Sequence, residues 1–176
     1  MASLIEIPLL LKLCTLRRWR LEDAEELARE ANNRKVSMLL RDAFPFPYQV
    51  EDAHEFLERA TPMERPTNLC IEVQGKVAGG IGLMLGEDVH RQSAQFGYWL
   101  GEQYWRRGIM SEAVGAFVDY SFALFELHRM EAEVYSGNPV SGRVLEKNGF
   151  VLEGCRKESV YKNGTFLDAL IYGRLR

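Results

Sequence analysis

Residues 100–113 read LGEQYWRRGIMSEA, and this stretch decides how the chain is predicted to fold. The residues before it alternate as in a strand, and the apolar residues after it recur at helical spacing as far as Phe125. A basic turn containing glycine therefore joins a strand to a long amphipathic helix. The first amides of that helix lack partners within it, and together with the helix dipole they favour an anion. We predict that the turn of Arg106, Arg107 and Gly108 binds phosphate.

Strands surround this helix on both sides in the sequence. Four are predicted before it and three after it, with a short helix at 139–148. The N-terminal part predicts one strand, a helix at 23–31 and two helical pieces within 33–60, separated because prolines 45 and 47 forbid a continuous helix. The order is that of a single α+β domain over 1–176 with one sheet. The predicted strands cover 9–18, Asn68–Val73, Lys76–Leu85, 93–101, Arg129–Tyr135, 151–161 and Thr165–Leu175.

Composition excludes several classes of protein. A formal net charge of −3 over 176 residues gives no electrostatic footprint for nucleic acid, so no direct contact with it is expected. The apolar run at 4–16 is too short and too interrupted to cross a membrane, and no membrane attachment is expected. Three scattered cysteines fit a reducing compartment, so we expect a cytoplasmic protein. Cys155 could act as an acyl-transfer nucleophile, but a small apolar strand residue explains it better. The three widely spaced histidines predict no metal site.

A second constellation follows the strand Arg129–Tyr135. Asn138 is a good N-cap, Pro139 fits the first helical position, and Gly149 stands just past the predicted end of the helix. Capping alone explains these residues, and a polar cap beside a cleft could also take part in chemistry.

Taken together, these segments resemble the acetyl-coenzyme A (acetyl-CoA) site of the GNAT superfamily of N-acetyltransferases. The similarity covers nearly the whole chain and is strongest to the ribosomal-protein alanine N-acetyltransferase (RimJ/RimL-like) branch. The matching blocks are Gly97-Tyr98-Trp99, Tyr104-Trp105 through Glu112-Ala113, Asn138 with Ser141, Glu146 to Phe150, Glu153-Gly154, Asn163-Gly164 and Asp168.

The resemblance implies a mixed, strongly bent sheet of about seven strands flanked by four helices. It also implies a gap between the strands at 93–101 and 129–135, where the pantetheine arm of acetyl-CoA would pair with the backbone near Trp99. Acetyl-CoA would be the donor and no metal would take part. The implied cofactor-binding residues are Trp99, Leu100, Gly101, Trp105, Arg106, Arg107, Gly108, Ile109, Met110, Ser111 and Asn138.

The resemblance also implies candidate catalytic groups. Many relatives use a tyrosine as acid for the leaving thiolate where this chain has Leu145, and in this branch a serine one turn earlier substitutes, which points to Ser141. Asn138 is placed beside it. For the base we nominate Glu158 on the final hairpin, with Glu102 and Asp168 in reserve. A backbone amide near Leu100 is the candidate oxyanion donor.

The acceptor is expected to be a primary amine, with a protein N-terminus favoured. An α-amine with a pKa of about 7.7–8.0 is roughly a tenth neutral at pH 7, whereas a lysine is only about 0.04% neutral. Residues 44–48 could wall a site for a small first side chain. Two alternatives stay open, a small-molecule amine acetyltransferase and an inert coenzyme A binder, the latter suggested by Met110 and Leu145. A homodimer is also left open.

Overall fold

The protein is seen in a computed structural model that describes residues 6–176. Eight strands form one mixed sheet in the order β1-β2-β3-β4-β5-β6-β8-β7. The strands are β1 (Leu9–Leu10), β2 (Thr15–Arg17), β3 (Asn68–Val73), β4 (Lys76–Leu85), β5 (Ser93–Leu100), β6 (Arg129–Tyr135), β7 (Val151–Lys162) and β8 (Thr165–Leu175). The helices are α1 (Ala24–Ala31), α2 (Arg34–Ser37), α3 (Val50–Ala60), α4 (Ile109–Leu124) and α5 (Pro139–Lys147).

The sheet opens between β5 and β6, the one parallel pair among the strands of residues 6–176. These strands pair only from Ser93 with Arg129 to Gln95 with Glu131, although β5 continues to Leu100 and β6 to Tyr135. The other neighbours are antiparallel, and β8 lies between β6 and β7. The carboxyl-terminal halves of β5 and β6 therefore diverge and leave unpaired backbone on both sides of a gap.

Two apolar cores cover the two faces of the sheet. One contains most of the apolar face of α4, with Phe117 and Val114 fully buried, together with Leu145 of α5. The other packs α1 and α3 against the opposite face. Successive strand residues point to opposite faces, so Tyr98 packs with the α4 core and Trp99 with the α1–α3 core. No helix within residues 6–176 has the length and apolarity needed to cross a membrane.

The prediction of a single first strand over 9–18 is wrong. The chain turns at Leu11, whose amide donates to the Cys14 carbonyl at 3.0 Å, and β1 and β2 pair as a hairpin. The turn is held by α4, because the amides of Lys12 and Leu13 donate to the two carboxylate oxygens of Glu112 at 3.1 and 2.7 Å. The split gives eight strands where the resemblance implied about seven, and the described residues form five helices where it implied four.

Other local predictions are confirmed. Both tight turns have two residues with positive φ, Gln74-Gly75 and Asn163-Gly164, as two-residue hairpins require. Residues 38–49, with their prolines, separate α2 from α3. Gly149 has φ +77 and follows the end of α5. Its amide donates to the Glu146 carbonyl and the Phe150 amide donates to the Leu145 carbonyl, both at 3.1 Å.

Candidate active site

A cleft of about 1180 Å³ occupies the gap between β5 and β6. It is bounded by the start of α4, the start of α5 and, on the other face of the sheet, by α3 and the segment before it. All but two of the sequence-predicted site residues line it. The predicted residues that line the cleft are Trp99, Leu100, Trp105, Arg106, Arg107, Gly108, Ile109, Met110, Ser111, Asn138 and Ser141.

The loop before α4 and the first residues of α4 present a row of backbone donors to this cleft. We call residues 106–111 the 106–111 loop. Within residues 6–176, none of the backbone amides from 106 to 111 donates a hydrogen bond. The first amide of α4 that does so is that of Glu112, which donates to the Gly108 carbonyl. The backbone has φ +61 at Arg106 and φ +78 at Gly108. A β-carbon at Gly108 would meet only Leu13 Cδ1, at 3.4 Å. Six free amides, two arginines and a helix N-terminus fit the pyrophosphate of a nucleotide cofactor.

Three contacts fix this loop in place. The Trp105 indole donates to the Leu100 carbonyl at 2.7 Å and ties the loop to the end of β5. This contact gives a structural reason for a tryptophan at position 105. Asn148 at the end of α5 donates to the Ser111 carbonyl at 3.0 Å. Glu112 holds the β1–β2 turn, as described above.

Ser141 stands at the start of α5 within reach of a tyrosine that the sequence argument did not assign. Its Oγ lies 2.8 Å from the Tyr98 hydroxyl, and the Asn138 side chain accepts from its amide at 3.3 Å as the N-cap of α5. Burial raises the pKa of Tyr98 to about 12, against a smaller lowering by the bond to Ser141. The phenol therefore stays protonated at physiological pH and can donate to Ser141. Tyr98 belongs to the Gly-Tyr-Trp block of β5, but its partner is 43 residues away.

The two remaining predicted residues, Gly101 and Glu158, do not line the cleft. The Gly101 amide donates to the Ala78 carbonyl at 2.8 Å as part of the sheet. Glu158 lies exposed in an irregular part of β7 with φ +49, and its amide donates to Asp168 at 2.9 Å. Whether it acts as the base stays a prediction.

Neither reserve carboxylate lines the cleft. The pKa of Glu102 is lowered by hydrogen bonds from Lys35 and Asn33, and that of Asp168 by the Lys157 ammonium and the Glu158 amide. Leu145 is fully buried core, and Cys155 is exposed on β7 away from the cleft. The described residues include no group of three or more His, Cys, Asp or Glu side chains that could hold a metal.

A mixed sheet opened between the parallel strands β5 and β6, with free amides at the helix start beside the gap, is the site expected of an enzyme whose donor substrate carries a pyrophosphate. Comparison with known proteins agrees, since residues 14–151 match the acetyltransferase (GNAT) domain. The chain belongs to the GNAT acetyltransferase family, whose acetyl donor is acetyl-CoA.

Relatives with different acceptors share this domain. The Escherichia coli ribosomal-protein-serine acetyltransferase is 36% identical over 84 residues, 48% of this chain and 47% of the relative. A spermidine N(1)-acetyltransferase of Vibrio cholerae is 29% identical over 97 residues, 55% of this chain and 56% of the relative. The matched parts span about half the length of the first curated relatives. A RimL ribosomal L7/L12 alpha-N-protein acetyltransferase in complex with coenzyme A superposes with a TM-score of 0.84 at 24% identity, over 97% of this chain and 98% of that chain, which shows the shared fold.

Proposed function

We propose that this protein is an N-acetyltransferase that moves the acetyl group of acetyl-CoA directly to a primary amine, and that the amine is the N-terminal α-amine of a protein or peptide. The observation that carries the proposal is the row of free amides from 106 to 111, which faces the same cleft as the Ser141 hydroxyl. One end of the cleft binds phosphate and the other offers a proton donor.

Each part of the cleft has a task in this proposal. The amides and arginines of the 106–111 loop hold the pyrophosphate, and the unpaired backbone of β5 beyond Gln95 holds the pantetheine arm. Bound acetyl-CoA supplies the acetyl thioester. As the amine nitrogen bonds to the thioester carbonyl carbon and the carbon–sulfur bond breaks, Ser141 Oγ would donate its proton to the departing sulfur, and the proton that the amine loses would return through solvent to restore the hydroxyl. The Tyr98 hydroxyl lies 2.8 Å from Ser141 Oγ and is placed to donate to it. When the Tyr98 phenol is the donor in this pair, the proton of Ser141 is directed away from Tyr98 and is available for the sulfur.

The choice of an α-amine rests on the weakness of the available bases. The three carboxylates that line the cleft are all engaged. Asp52 accepts from the Gln49 amide at 2.7 Å, Glu55 pairs with Arg59 at 2.5 Å, and Glu133 lies 3.4 Å from Arg156. An α-amine is about a tenth neutral at pH 7 and needs little help, whereas a lysine or polyamine amine needs a strong base. The similarity to ribosomal-protein acetyltransferases supports the same choice. The similarity to spermidine acetyltransferases makes a polyamine the competing acceptor.

Turnover of acetyl-CoA against a panel of peptides and small amines tests the proposal, with acetylated products identified by mass. We expect acetylation of the α-amine of peptides, with a rate that rises from pH 6 to 8 as the amine loses its proton. Polyamines or aminoglycosides reacting about a hundredfold faster than every peptide would refute the peptide acceptor and leave the acetyltransferase assignment intact. No turnover with any amine would refute both.

A further inference from the structure

Aromatic side chains line the part of the cleft that lies on the opposite face of β5 from Ser141. We call this part the aromatic pocket; its members are Trp19, Phe44, Tyr48, Phe56 and Trp99, and all of them line the cleft. Phe44 packs on Tyr48 with ring centres 4.9 Å apart and on Trp99 at 5.4 Å, and Trp19 meets Phe56 edge-on at 5.5 Å. Gly80 lies against both indoles, since a β-carbon there would come within 2.9 Å of Trp99 Nε1 and 3.1 Å of Trp19 Cζ2.

Polar atoms of these same rings have no protein partner. The indole nitrogens of Trp19 and Trp99 and the Tyr48 hydroxyl make no hydrogen bond with any residue from 6 to 176, although Trp19 and Tyr48 are only 4% and 6% exposed. None of the three atoms is fully sealed from solvent, and all three residues line the cleft. Burial, and then the charge of Asp52, raises the pKa of Tyr48 to about 12, so its hydroxyl is a neutral donor. Indole nitrogens donate and never accept.

The aromatic rings and their hydrogen-bond donors fit the first residue of a peptide better than they fit a polyamine. Aromatic walls with hydrogen-bond donors complement an apolar side chain and a carbonyl oxygen. A polyamine with protonated amines has no acceptor atom for the two indole donors, and it has no carbonyl oxygen. The first residue of a peptide has both the carbonyl and, where it is apolar, the side chain.

We propose that the aromatic pocket binds the first residue of the acceptor and selects one with an apolar side chain and a carbonyl group next to its α-amine. This proposal rests on the proposed function, because the pocket selects an acceptor only if the cleft acetylates one. Trp99 lies between the aromatic pocket and the Ser141 side of the cleft, since it is next to Tyr98 in β5 and faces the opposite side of the sheet.

The first experiment compares substrates with the unmodified protein. Peptides that differ only in a first residue of Leu, Gly or Lys are assayed beside isopentylamine, which has the leucine side chain without a carbonyl, and spermidine. Every kcat/KM is expressed per neutral amine, because the alkyl amines have a higher pKa than the peptide α-amines. We expect kcat/KM for the Leu peptide to exceed that for each of the others by at least about tenfold. Equal rates for the Leu, Gly and Lys peptides would overturn the selection, as would isopentylamine or spermidine matching the Leu peptide. A total lack of acetylation would instead refute the proposed function.

The second experiment uses two variants of one segment. Phe44→Ala removes a wall of the pocket, whereas Phe46→Ala removes an exposed ring that does not line the cleft. The quantity compared is the ratio of kcat/KM for the Leu peptide to that for the Gly peptide within each variant, which does not depend on how much of the variant is folded. We expect Phe44→Ala to lower this ratio at least about fivefold and Phe46→Ala to leave it unchanged. An unchanged ratio in Phe44→Ala, or an equal fall in both, would overturn the proposal.

Discussion

Replacing Gly108 with aspartate should weaken coenzyme A binding mainly through charge. The new carboxylate would stand at the start of α4 among the free amides of 106–111. A carboxylate about 6 Å from a phosphate charge costs about 3 kcal/mol at an effective dielectric constant of 20, and solvent in the open cleft reduces this to about half. The dissociation constant should therefore rise between about tenfold and a hundredfold.

Gly108→Asn is the matched control, because asparagine and aspartate have nearly the same size and both tolerate left-handed backbone. A β-carbon there meets only Leu13 Cδ1, at 3.4 Å, and the strain of φ +78 is shared by both variants. Calorimetric titration with coenzyme A measures the two affinities, and thermal melting checks that both variants fold. If asparagine weakens binding as much as aspartate does, the charge argument is wrong. If neither weakens binding, the loop does not hold the pyrophosphate.

Four further outcomes follow from the cleft. Ser141→Ala should lower kcat at least about tenfold with coenzyme A affinity unchanged, because its bond to sulfur matters mostly as the thiolate leaves; a loss of affinity with kcat intact would contradict this. Tyr98→Phe should lower kcat about three- to tenfold but have no further effect in a Ser141→Ala background, and additive losses in a double-mutant cycle would show that Tyr98 acts independently. Asn138→Ala should lower the free energy of unfolding by about 1 kcal/mol in denaturant titration, whereas Asn138→Ser keeps the cap and should not. Glu158→Gln should flatten or shift the rise in rate between pH 6 and 8, and an unaltered pH profile would remove Glu158 as the base.

The parts of the fold that the sequence predicted are those with local causes. The strands β3 and β4 begin and end at the predicted residues, because alternation and the Gln74-Gly75 turn are properties of neighbouring positions. The break between β1 and β2 was missed because alternation runs through it and its cause, Glu112, is about a hundred residues away. The same limit applies to the site. The 106–111 loop is contiguous and was predicted, but the Tyr98–Ser141 pair forms only when β5 and α5 meet across the cleft.

The carboxylate of Glu112 has a consequence for the first part of the chain. It closes the β1–β2 turn and stands in the first turn of the helix that carries the phosphate loop. The hairpin and the first turn of α4 are therefore joined directly, although they lie about a hundred residues apart in the sequence. A change in the length of the β1–β2 turn would remove both amides from this carboxylate at once, so the length of the turn matters for the start of the helix beside the phosphate loop.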